Sequence, residues 1–215
     1  MRRPKLAWLH LISHAGALTP LALTVWDYVQ QDLTVNPIQE ITLRSGQYAL
    51  TLLLLSLAVT PAITLFGLKW LLPLRRRLGL YTFLYASLHF LTFVGLDYGF
   101  DWELIQEAIF EKRYALVGFS AFVILLALAL TSSKKWMKRL GKNWKRLHRL
   151  VYPAGLLVIV HFVWLVKADI GRPLMYGAVL GVLLVLRWPA IRRWVAGVRA
   201  HRRQTRPVPP LAKRA

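Results

Sequence analysis

Three histidines, His89, His148 and His161, lie in or at the edge of hydrophobic segments long enough to cross a bilayer, in a chain with no cysteine and no acidic residue inside any such segment. An imidazole in hydrocarbon is costly, so each of these positions asks for a ligand. His89 comes 12 residues after Arg77 and His161 comes 12 residues after Arg149, each counted from the basic edge of its own segment. Both segments run in the same direction, so the two imidazoles share one depth, about 18 Å from the basic edge at ~1.5 Å per residue. Two imidazoles projecting inward at one level between apolar walls are what a haem held between facing helices requires. Phe83, Phe90, Phe93, Leu157 and Phe162 are the expected wall residues, although bulky apolar side chains in such segments also simply face lipid or neighbouring helices.

His148 stands apart. It precedes His161 by 13 residues on the same segment, or ~20 Å of helix, so the two cannot share an iron. A second haem at the basic edge would want a histidine near Arg75 or Arg76, and there is none. His148 is left with a different axial partner, a place in a quinone or flavin pocket, or a surface role. His10 and His14 are one turn apart on one face of the first segment. An inter-helix hydrogen bond or an interfacial position suits both, and a quinone contact stays open for His14. His201, in the tail, reads as solvated.

The absence of cysteine removes thiolate-bound iron-sulfur clusters, covalent c-type haem and disulfides, leaving non-covalent b-type haem. Zinc or copper on two histidines would lack a third or fourth protein ligand. Spans without Asp or Glu argue against a proton pump or an ion-coupled transporter. Electron transfer is the leading class.

The elements that must position these residues follow from composition. Hydrophobic residues make up 56% of the 215, with a mean hydropathy of +0.44, which describes an integral membrane protein. Charge-free stretches cover 6–26, 46–68, 78–96, 114–131, 150–166 and 173–186. The first five meet the length of a spanning helix, roughly 17–25 residues. The sixth is short, and it reaches 190 if Arg187 snorkels to the surface and the helix continues through Trp188. The expected fold is an all-α, six-helix transmembrane bundle over 1–198, followed by a basic, disordered tail over 199–215 with Pro207, Pro209 and Pro210, lying beside anionic lipid.

All nine carboxylates fall after spans one, three and five, accompanied by only five basic residues; the other 24 of the 29 basic residues lie in the remaining loops and the termini. The positive-inside rule then places both termini in the cytoplasm of a multi-pass inner-membrane protein. Because the charge alternates with topology, the basic pI does not call for nucleic acid. Arg2, Arg3 and Lys5 ahead of an apolar run, with Ala15-Gly16-Ala17, also fit a secretory signal peptide. The run continues to Trp26, which favours a retained anchor.

The connections are at most about 20 residues, too short for a domain, and no dinucleotide fingerprint, Walker motif or nucleophile elbow is present. Arg75, Arg76, Arg77, Lys145, Arg146 and Arg149 at the basic edge suit haem propionates, a flavin phosphate or an acidic flavoprotein, and equally the positive-inside rule alone. Trp8, Trp26, Trp70 and Trp136 near span ends read as interfacial anchors. Pro20, Pro61 and Pro153 are kinks whose freed carbonyls need partners inside the bundle.

Two segments carry a resemblance. Arg75-Arg76-Arg77-Leu78-Gly79-Leu80, continuing through Tyr85-Ala86-Ser87-Leu88-His89, resembles the third helix of the MsrQ (YedZ) family, the haem-binding membrane subunits of the bacterial periplasmic protein-methionine-sulfoxide reductase system. Leu140-Gly141-Lys142-Asn143-Trp144-Lys145-Arg146-Leu147-His148, Tyr152 and His161-Phe162-Val163-Trp164 are similar to its later helices, and Asn36-Pro37, 46–49 and Thr60-Pro61 to its first outer loop and second helix. The resemblance implies a ferric-reductase-like transmembrane domain binding haem b and FMN. It implies electrons drawn from the quinone pool or a cytosolic flavin reductase and passed to a periplasmic molybdopterin-containing subunit that reduces methionine sulfoxide in oxidised proteins. The family's three histidines fall on His89, His148 and His161. Ferric reductases and NADPH oxidases usually carry two histidines on each of helices three and five; helix three here has one, which leaves the haem count open. No catalytic residue is expected in this chain, because its outer loops are too small to enclose a protein-bound sulfoxide. A stand-alone reductase of ferric iron or another small acceptor is the alternative, and a non-redox scaffold tied by its histidines the third reading.

Overall fold

The computed structural model of the chain describes residues 4–166 and 169–191, together with 193 and 197. The tail expected over 199–215, with His201, lies outside the described residues. Among the described residues every regular element is helical: α1 (Pro4–Val29), α2 (Pro37–Phe66), α3 (Leu72–Leu91), α4 (Trp102–Glu111), α5 (Arg113–Leu130), α6 (Lys134–Leu140), α7 (Lys142–Leu147), α8 (Val151–Leu165) and α9 (Gly171–Val185). Five spans are long and apolar enough to cross a membrane: α1, α2, α3 with its flanking turns, α5, and α7 running on into α8.

The central element is α2. Asn36 caps its start, the side-chain oxygen accepting from the Gln39 N–H at 3.1 Å, and Pro37 occupies the first turn, where a missing N–H costs nothing. One face of α2 places Leu50, Leu53, Leu54 and Leu57 against Leu125 of α5, Ala154 of α8 and Leu180 and Leu183 of α9. A second, adjoining face places Ala49 and Leu52 against Ala17 of α1 and Tyr85 of α3. The leucine-rich side packs by interdigitation, and the alanines let α1 and α3 approach closely. At the acidic face Arg44 pairs with both Asp27 and Glu40, tying α1 to α2.

The prolines open the helix ladders at defined places. Pro61 has no N–H for the Leu57 carbonyl four residues earlier. Arg187 supplies the donor, bonding the Leu57 carbonyl with one amine and the Tyr152 hydroxyl with the other. This corrects the expectation that Arg187 snorkels outward to extend the last helix: its guanidinium turns inward, and α9 ends at Val185 rather than reaching 190. At 15 residues, α9 is shorter than an ordinary bilayer crossing. In α1 the Tyr85 hydroxyl stands in the ladder beside Pro20, accepting from the Leu21 N–H at 3.1 Å and donating to the Ala17 carbonyl at 2.7 Å.

Two connections expected as loops are helical. On the acidic side, Asp101 caps α4 by accepting from the N–H groups of Glu103 and Leu104 at 3.0 and 3.2 Å, and Ile105, Ala108 and Ile109 turn inward. On the basic side, α6 and α7 occupy the stretch before His148. Beyond His89, α3 widens into a π-helical segment, Thr92–Asp97, a form that tends to occur near functional sites.

Candidate functional site

A cavity of about 630 Å³ lies among α2, α3, α5 and α8. Its lining runs from Leu53 and Leu125 in the core to Asn36, Gln39, Asp97 and Tyr98 at the acidic face, and Ile109 of α4 closes part of that end. His89 and His161 both line it. Their ring centroids are 6.1 Å apart with planes at 85°. The structure thus brings these two of the three histidines together.

Both rings are anchored by the same bond. His89 Nδ1 donates to the Thr42 carbonyl at 2.8 Å and His161 Nδ1 donates to the Tyr114 carbonyl at 2.7 Å. A carbonyl only accepts, so Nδ1 carries the proton in each ring and Nε2 keeps its lone pair. Two neutral imidazoles on facing helices, each with an Nε2 lone pair, are donors of the kind that could hold a metal ion between them. Among the described residues no third histidine or carboxylate joins the pair to complete a metal site. The set therefore fits an ion whose other positions a planar macrocycle fills, as in haem.

The walls are aromatic. Phe90 stacks on Phe122 at 4.7 Å between centroids and lies 5.8 Å from Phe119 and 6.5 Å from Phe93. Of the expected wall residues, Phe90, Phe93 and Phe162 line the cavity. Phe83 sits one layer back, stacked on Phe122, and Leu157 does not line it.

The other singled-out residues lie elsewhere. His148 is outside the lining; its Nε2 bonds the Thr131 hydroxyl at 3.1 Å and its ring stacks on Trp144 at 4.1 Å. Arg75, Arg76 and Arg149 are exposed on the basic side, and Arg77 bonds Ser13 and His10 of α1. His14, exposed on α1, bonds the Tyr81 hydroxyl of α3 at 2.6 Å. None of these five residues, the arginines and His14, lines the cavity.

Sequence reasoning missed the residues behind the rings: Thr42 and Tyr114, whose carbonyls accept, and Gly46 and Gly118, which lie against the two imidazoles. A signal existed, since Gly46 precedes His89-Phe90 and Gly118 precedes His161-Phe162 by the same 43 residues.

The bundle of apolar helices around this cavity is of the ferric-reductase-like transmembrane class. The profile of the family described as "Ferric reductase like transmembrane component" matches residues 45–159. The match runs from α2 into α8 and ends two residues before His161. Similar relatives include the "Protein-methionine-sulfoxide reductase heme-binding subunit MsrQ" of Xanthomonas axonopodis pv. citri (strain 306), 44% identical over 200 residues covering 90% of this chain and 91% of that one. The protein of the same name from Rhodospirillum rubrum is 45% identical over 186 residues, 85% of this chain and 88% of that one. That from Xanthomonas campestris pv. campestris (strain B100) is 47% identical over 177 residues, 80% and 81% of the two chains. The chain belongs to the MsrQ family. No solved structure matches it.

Proposed function

We propose that this chain is the haem-binding electron-transfer subunit of a protein-methionine-sulfoxide reductase, with one b-type haem iron held between His89 and His161. The carrying observation is the pair of imidazoles in the cavity, each fixed through Nδ1 to a backbone carbonyl and set 6.1 Å apart. The names of the relatives support the ligand, and the non-covalent type follows from the lack of cysteine. Haem supplies a one-electron iron couple between the two faces of the membrane. The chain's own part is to present two Nε2 donors, hold their orientation through the carbonyl bonds, and keep water from the iron with Phe90, Phe119, Phe122 and Phe162.

The orientation follows the charge: the basic side faces the cytoplasm and the acidic side the periplasm. Electrons enter on the basic side from the quinone pool or a cytosolic flavin reductase. The lipid-accessible His14–Tyr81 pair suits a membrane quinol, and the exposed Arg75, Arg76 and Arg149 suit an acidic flavoprotein or an FMN phosphate. They leave at the acidic face to a periplasmic molybdopterin-containing reductase, where two electrons and two protons convert methionine sulfoxide to methionine and water. For His148 to serve as a second axial ligand, as the resemblance suggests, its Nε2 would have to leave Thr131.

Difference spectra of the purified protein test this. We expect a reduced-minus-oxidised signal of haem b, and reoxidation of the reduced protein by the molybdoenzyme. No haem signal would end the redox reading. Reoxidation by ferric chelates but not by the molybdoenzyme would point instead to a stand-alone ferric or small-acceptor reductase.

A further inference from the structure

The two imidazoles are seated in the same way twice. Each Nδ1 reaches its carbonyl across 47 residues of chain, and four residues after each acceptor stands a glycine, Gly46 after Thr42 and Gly118 after Tyr114. A shift of 72 residues carries Thr42, Gly46, Ala49 and His89-Phe90 onto Tyr114, Gly118, Ala121 and His161-Phe162. The α2–α3 and α5–α8 pairs are thus two copies of one arrangement.

The spacing has a physical cause. Residues i and i+4 stack on one face of a helix, so a side chain at i+4 stands in front of the carbonyl of residue i. A ring from a neighbouring helix reaches that carbonyl only if position i+4 has no β-carbon, and glycine is the residue that allows such close approach. A β-carbon at Gly46 would stand 3.1 Å from His89 Nδ1, and one at Gly118 would stand 2.6 Å from His161 Nδ1. The second distance is one that real β-carbons do not adopt, and the obstructing atom belongs to a ring held by both its helix and its hydrogen bond.

We propose that Gly46 and Gly118 are positioning residues, glycine seats that admit each axial imidazole to a backbone carbonyl and so set its orientation, tautomer and basicity, with the α5 seat the tighter of the two. A hydrogen bond at Nδ1 strengthens the donor character of Nε2, so moving the ring off its carbonyl alters the potential of the bound metal. The inference rests on the haem assignment above.

Full-length protein carrying Gly46→Ala, Gly118→Ala or, as control, Gly181→Ala, where an added β-carbon meets nothing within 4 Å, is compared with wild type for haem content, low-spin EPR g-values and midpoint potential. Alanine is the better helix former, so helix propensity alone would favour both seat variants over wild type. We expect Gly181→Ala to match wild type. Gly46→Ala should keep its haem with shifted g-values and potential, and Gly118→Ala should lose most of its haem or its bis-imidazole signature. Wild-type haem content, g-values and potential in Gly46→Ala and Gly118→Ala together overturn the proposal. If Gly118→Ala does not fold, Gly46→Ala decides alone: shifted spectra support the seat and unchanged spectra refute it. A wild-type protein without haem overturns the underlying assignment instead, and is seen before any variant is made.

Discussion

Arg187 and Tyr85 each complete a backbone ladder near a proline, yet the consequences of removing them differ. Without Arg187 the Leu57 carbonyl has no donor, because Pro61 removed the one its helix would supply. Arg187→Met should therefore cost about 1–3 kcal/mol, the range for a buried acceptor left unpaired. In a Pro61→Ala background the helix regains its own donor and the cost should fall; equal losses of thermal stability in both backgrounds would sink this account. Tyr85 bridges the Leu21 N–H and the Ala17 carbonyl, which can pair with each other once the hydroxyl is gone. Tyr85→Phe should cost no more than about 1 kcal/mol, and a melting-temperature loss as large as that of Arg187→Met would contradict it. At this scale the sequence revealed the residues that need partners but not which partners they find. The level of His89 and His161 was legible because helix rise is a constant. The Thr42 and Tyr114 carbonyls were not, since a backbone acceptor leaves no mark on residue type.

The long helices could be read from uninterrupted apolar runs, because hydrocarbon forces every backbone group into an internal bond. The shorter ones were hidden for opposite reasons. In α4 the apolar positions Ile105, Ala108 and Ile109 are spaced for one helix face, but they sit among Glu103, Glu107 and Glu111 in a stretch too polar to cross the bilayer. The α9 helix was read as too long, because a basic residue near a helix end usually extends toward water, whereas Arg187 is recruited by the gap at Pro61. Asp101 is the element's main start signal, so Asp101→Ala should weaken α4 by about 1 kcal/mol. Faster amide exchange confined to 102–111 would confirm this, and unchanged protection there would argue that packing of Ile105 and Ile109 holds the helix without its cap.

Across the whole molecule, charge and cavity share one axis. The histidine pair lies between a face rich in Lys and Arg and a face carrying the carboxylates, and the cavity extends toward the acidic one. The proposed outward transfer of electrons runs along that axis, and its direction can be mapped directly because the chain has no native cysteine. In intact cells Glu103→Cys should react with an impermeant thiol reagent, while Lys145→Cys should react only after permeabilisation; the reverse pattern would invert the proposed topology. The class of fold was plain from hydropathy, and the central pair from spacing. The repeat that relates the two halves was not, because it is carried by a few positions scattered among interchangeable apolar residues.

The central claim is that His89 and His161 hold one iron, and it is tested most directly by low-spin EPR with haem quantification on His89→Ala, His161→Ala and His148→Ala. We predict that either of the first two abolishes the principal bis-imidazole signal while His148→Ala retains it. A full bis-imidazole signal surviving in His89→Ala or His161→Ala would contradict the account.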